Sequence, residues 1–158
     1  MQFYIKERVW SFTDSFDIYD AYEQPLYTVR GKVFSLRKTR TLMDYATQQE
    51  VTTITQKLWS FLPTYEITSD NDSTVTLRQQ LTFFKPVYSI PELDWEIRGN
   101  FLERAYTIYD AKGNDIARIS KRWMTWSDTY EVDIVDKNAD EKLVISIVLA
   151  IDAGNESR

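Results

Sequence analysis

The groups able to do acid–base or electrostatic chemistry in this chain are carboxylates, guanidiniums and ammoniums, because it contains neither histidine nor cysteine. That removes the commonest general base and metal ligand, the thiol nucleophile and the thiolate zinc site. Two acid pairs remain, Glu92 with Asp94 and Glu131 with Asp133. A glycosidase-type pair must face itself across a cleft of about 5 to 9 Å, which neighbours on one strand cannot do. Alternate carboxylates such as Glu131 and Asp133 read instead as the solvated face of a strand. Asp70-Asn71-Asp72 has the composition of a calcium loop but lacks the following glycine and the distal glutamate, and reads as a turn. There is no phosphate-cradling glycine motif and no nucleophile elbow. The expectation is a binding protein with no catalytic residue, no metal and no cofactor.

One cluster suggests what could be bound. Arg37, Lys38 and Arg40, approached by Arg30 and Lys32, concentrate positive charge in a chain whose 24 acidic residues outnumber its 19 basic ones. Arginine grips phosphate bidentately, so these five residues are the candidate site for an anionic headgroup. The competing reading is a solvated turn with a charged tip. The tryptophans, Trp10, Trp59, Trp95, Trp123 and Trp126, could form a stacking platform, but their regular placement points to core packing. The net charge of −5 disfavours broad nucleic-acid binding.

What must position these groups is a repeat. Segments beginning at Val9, Val33, Leu58, Leu81, Gly99 and Trp123 share one pattern. An apolar pair and a second aromatic precede a turn; an aromatic and an aliphatic, two apart, follow it. The second position falls at Trp10, Phe34, Trp59, Thr82, Asn100 and Met124, and the fourth at Phe12, Leu36, Phe61, Phe84, Leu102 and Trp126. The eighth is Phe16, Arg40, Tyr65, Tyr88, Tyr106 and Tyr130, so Arg40 stands where five sisters carry a ring. The tenth is always aliphatic, from Ile18 to Val132. Period-two alternation on both sides of each centre makes every unit a hairpin.

Six consecutive hairpins give about 12 antiparallel strands, and a meander that long avoids exposed edges by closing into a barrel. A barrel wider than about eight strands cannot fill itself with its own side chains. The apolar run Leu143–Ile151 is the segment that could fill it, and is expected to be a central helix. The 158 residues make one domain, 1–158. The charged N-terminus does not resemble a secretory signal, and no apolar run reaches the about 20 residues of a membrane span.

The W-S-F and W-S-D-T-Y-E motifs, the segment K-L-W-S-F-L-P-T-Y-E-I, L-D-W-E-I-R-G and the closing apolar helix resemble the LURP-one-related family, from Phe3 to about Asp152. That family shares the tubby C-terminal-like fold and is similar to phospholipid scramblases. The resemblance implies a 12-stranded barrel around a hydrophobic helix. Its tubby relatives bind phosphoinositides through basic residues, none of which matches here residue by residue; the cysteine-rich and membrane-inserting segments of scramblases have no counterpart. Together these readings give a cytoplasmic, non-enzymatic module, peripheral at membranes, whose partner is an anionic phospholipid or phosphoinositide. The alternative is a protein-interaction or structural scaffold without a lipid ligand.

Overall fold

In the computed structural model, which describes residues 1–6, 15–31, 39–82, 85–122 and 129–156, twelve antiparallel strands close into a barrel around one helix. The strands are β1 (Gln2–Lys6), β2 (Ser15–Tyr19), β3 (Pro25–Gly31), β4 (Thr39–Asp44), β5 (Glu50–Gln56), β6 (Thr64–Ser69), β7 (Thr74–Gln80), β8 (Val87–Ile90), β9 (Trp95–Asn100), β10 (Ala105–Tyr109), β11 (Asp115–Arg122) and β12 (Thr129–Ile134). Each pairs with its neighbours in sequence, and β1 pairs with β12 to close the ring. The meander therefore leaves no free edge.

Alternation along the strands sorts the repeat. The tenth-position aliphatics Ile18, Leu42, Ile67, Ile90, Ile108 and Val132 all point inward and are essentially inaccessible. So do the eighth-position rings Tyr65, Tyr88, Tyr106 and Tyr130. The helix α1 (Glu141–Glu156) occupies the interior, with Val144 to Ile151 buried on every side. An element apolar all round is stable only where protein surrounds it. Asp140 caps the helix, its side chain accepting the Lys142 N–H at 3.0 Å. The polar exception, Ser146, is satisfied: it donates to the Lys142 carbonyl at 2.7 Å and meets the Thr52 hydroxyl at 2.6 Å.

The direction of α1 distinguishes the barrel's two ends. Its start lies by the turns at 20–24, 45–49, 70–73, 91–94 and 110–114, and its finish by the connections at 57–63, 81–86 and 101–104. The former is the turn end and the latter the loop end. Three of the turns at the turn end are built alike. Asp20 and Asp110 each accept two backbone N–H groups within their own turn, at 2.8 to 2.9 Å, and Asp44 accepts the Thr47 N–H at 2.9 Å. A residue of positive φ follows in each case, Glu23, Gly113 or Gln48, and the register shifts once in the adjoining strand. This is a hairpin loop closed by a left-handed residue and a bulge.

The sequence-based boundaries need one correction. The segment beginning at Leu58 was expected to enter the centre of its hairpin as a strand, but β5 ends at Gln56 and β6 begins at Thr64. The W-S-F motif there is loop, so its alternating pattern never meets a sheet partner. Trp59, expected in the core, is fully exposed, whereas Trp95 packs half-buried against the core. Trp10, Trp123 and Trp126 lie outside the described residues.

Candidate functional site

Among the described residues, the connections at the loop end carry Trp59, Phe61, Thr82 and Leu102 of the second and fourth repeat positions, with Leu81 next to Thr82 in sequence. Trp59 is 100% exposed, Phe61 96%, Leu81 71% and Leu102 64%. Single exposed apolar side chains are ordinary, as Met1 and Tyr22 are at the turn end, whereas several on neighbouring connections make the loop end a candidate contact surface. Trp59 also holds a left-handed backbone, φ 67°. That conformation is uncommon outside glycine and is disfavoured for a bulky side chain. Polar residues share the second position, with Thr82 and Asn100 both exposed. That mixture is the signal in the sequence that this position faces water, and the core assignment of Trp59 overlooked it.

Beneath this rim the helix is anchored by charge. Asp152 is buried and accepts Nε of Arg104 at 3.1 Å and the Tyr130 hydroxyl at 3.2 Å, while the Arg104 guanidinium sits 4.7 Å from the Tyr130 ring centre. Burial pushes the Tyr106 hydroxyl well above the usual phenol range, reinforced by the Asp152 carboxylate. Asn155 donates to the Phe101 carbonyl at 2.8 Å. Gly154 lets the helix approach the wall, since a Cβ there would stand 3.1 Å from the Tyr65 hydroxyl and 3.3 Å from that of Tyr88. The last helical turn has no basic residue of its own, so Arg104 supplies the positive charge that the carbonyl end favours.

The five expected headgroup residues do not form one surface. Arg40 faces inward with Leu42 and is 6% exposed, so it belongs to the barrel interior. Arg30 lies on the opposite, outer face, reaching Gln48 at 3.2 Å. Lys32, Arg37 and Lys38 lie outside the described residues, in the segment joining β3 to β4. Described cations of the loop end include Lys57, paired with Glu66 at 3.2 Å, and Lys85, which is exposed.

One member of each acid pair has partners in its own turn or a neighbouring strand. Glu131 accepts Arg122 at 2.8 Å on the outer face of β12. Glu92 belongs to the turn after β8; burial opposes its ionisation, but hydrogen bonds from its own backbone and from Thr76 prevail and hold its carboxyl below the usual range. Asp70 to Asp72 form a turn in which Asn71 accepts both the backbone N–H and the hydroxyl of Ser73. Among the described residues no group of three or more acidic side chains is placed to hold a metal ion, and no helix is long and apolar enough to cross a membrane.

The family model of LURP-one-related proteins matches residues 1–152. The chain belongs to the LURP-one-related family. It is 32% identical over 151 residues to YxjI, an uncharacterized protein of Bacillus subtilis, covering 96% of this chain and 90% of YxjI. The X-ray structure of an Arabidopsis thaliana protein superimposes with a TM-score of 0.71, covering 98% of this chain and 90% of the plant chain at 19% identity. At that identity the likeness shows the shared fold. The LURP-one-related barrel is thus the setting in which the apolar rim must be understood.

Proposed function

We propose that this LURP-one-related chain is a non-enzymatic, cytoplasmic binding module that docks its loop end on an anionic lipid surface. The observation that carries this reading is the near-complete exposure of Trp59 and Phe61 on one connection, beside Leu81 and Leu102 on others at the same end. Fully burying such side chains yields about 1.5 to 3 kcal/mol each, so two give about 3 to 6 kcal/mol. Each nearby cation adds about 1 kcal/mol at an anionic membrane. Arg37, Lys38 and Lys32 are the sequence's contribution to that second part, and Lys85 is exposed at the loop end. Charge alone would leave binding weaker than about 1 mM, and the apolar tips lift it into a useful range.

Vesicle flotation tests this. Wild-type protein should float with phosphatidylserine or phosphoinositide vesicles. Replacing Trp59 and Phe61 together by Ser should abolish flotation, and replacing Arg37 and Lys38 by Glu should weaken it in a salt-dependent way. Failure of the wild-type protein to bind any of these vesicles at low salt overturns lipid docking and leaves the loop end as a protein-binding surface.

A further inference from the structure

A cleft of about 260 Å³ opens at the loop end between β7, β8, β9 and the end of α1. Its walls are mainly apolar: Phe101, Leu102, Pro86 and the ring of Tyr88, the last standing edge-on to Phe101 at 4.9 Å. Two polar groups break that surface. Gln79 lies deep, 5% exposed, its backbone N–H spent on the Pro63 carbonyl at 3.0 Å. No hydrogen bond joins its carboxamide to another described residue, and neither of its polar atoms is among those sealed in the barrel without a partner, so the group meets the cleft it lines. Lys85 stands at the mouth, exposed and with no carboxylate against it among the described residues. Its backbone is bonded by Thr82, whose hydroxyl donates to the Lys85 carbonyl and accepts the Lys85 N–H.

We infer that this cleft is a binding site for a small aromatic hydroxy acid, with its ring on Phe101 and Leu102, its hydroxyl on Gln79 and its carboxylate at Lys85. A carboxamide both donates and accepts, so it suits a hydroxyl, whereas a carboxylate driven to that depth would be desolvated without a countercharge. The apolar walls with two aromatic edges favour a flat ring over a flexible chain. A concave, mainly apolar cavity with a few convergent polar groups is the usual form of a small-molecule site, and this one lies at its small limit. The inference shares Leu102 and Lys85 with the lipid-docking reading but is tested apart from it, since its ligand is water-soluble and the titration contains no lipid.

Calorimetric titration of the whole chain, without lipid, tests it with three compounds: 4-hydroxyphenylacetate, phenylacetate and the neutral 4-hydroxyphenylethanol. The hydroxy acid should bind saturably, about tenfold more tightly than phenylacetate, the scale of one well-placed hydrogen bond. Gln79→Leu should erase that preference while keeping the fold, because it removes a polar group that lacks a partner. Leu102→Trp, at an exposed rim position, should close the mouth and weaken both acids alike. The neutral alcohol should bind several-fold less tightly than the acid, and Lys85→Gln should remove that difference. Absence of saturable binding at millimolar concentration, or affinities that neither Gln79→Leu nor Leu102→Trp changes, overturns the site. Either result leaves the vesicle experiment unaffected.

Discussion

The two ends of the barrel are built from the same repeat and differ in construction. At the turn end, Asp20, Asp44 and Asp110 close three of the short connections alike, each accepting backbone N–H groups of its own turn. At the loop end the connections 57–63 and 81–86 are longer, while 101–104 is as short as a turn, and Trp59, Phe61, Leu81 and Leu102 stand in water. A turn whose polar atoms are all satisfied internally has little left for a partner. A loop that exposes a tryptophan at positive φ has accepted local cost without a compensating contact inside the fold. Binding surfaces arise where a rigid scaffold can carry such loops.

The comparison breaks most completely if the scaffold is removed. Deleting residues 142–158 should abolish cooperative thermal unfolding, because the buried run from Val144 to Ile151 fills the barrel. Its burial, at about 1.5 to 3 kcal/mol for each large side chain, exceeds the net stability of a typical domain. A sharp calorimetric transition near the full-length temperature would show that the helix is dispensable.

Next in size is the clasp beneath the loop end. Asp152→Ala leaves the Arg104 guanidinium largely buried without its carboxylate and should cost about 3 kcal/mol in urea unfolding. Arg98→Ala, whose ion pair with Glu96 on the outer face is half exposed, should cost less than about 1 kcal/mol. Equal costs for the two would remove the distinction between interior and surface charge.

The loop tips should behave in the opposite sense. Trp59→Ser with Phe61→Ser should change stability by no more than about 0.5 kcal/mol, since neither side chain is packed. A large loss of stability would mean that these rings pack in solution.

Smallest is the pH response of the turn end. Backbone hydrogen bonds from Thr47 and Asn114 hold the Asp44 and Asp110 carboxyls below their usual range. Their contribution is present above the unfolded-state carboxylate range and is lost as pH falls through the folded-state values. Glu141 runs the other way. Burial, with Asp140 beside it, raises its carboxyl, so its contribution is complete below the unfolded-state value and is lost as pH rises. Glu141→Gln should therefore raise the melting temperature slightly at neutral pH and leave it unchanged in acid. A fall at neutral pH would contradict the assignment.

The barrel was legible because period-two alternation survives in every strand that follows a repeat centre: Tyr65 and Ile67, or Tyr130 and Val132, cannot be aligned without facing the same interior. The filling helix was legible from the apolar run at Leu143–Ile151, once the width of the barrel demanded an occupant. The loop end was misread for a physical reason. Trp59, Ser60 and Phe61 alternate as a strand does, but alternation records which residues are apolar and says nothing of whether a partner strand is within reach. Arg40 misled in the converse way. Its charge suggested a surface, while its repeat position, shared with four buried tyrosines, placed it inside. The partner of Asp152 could not be read at all, because Arg104 and Tyr130 reach it from turns and strands far apart in sequence.

The absence of cysteine makes the central claim directly measurable, since a single introduced thiol takes a fluorophore uniquely. A polarity-sensitive probe placed at Ser60→Cys, between the two exposed rings, should shift to the blue on addition of phosphatidylserine vesicles and be quenched by brominated acyl chains. The same probe at Tyr22→Cys, equally open to water but on the turn end, should respond to neither. A probe at residue 60 that stays in water while the protein is vesicle-bound, or one at residue 22 that enters the bilayer, would contradict the account.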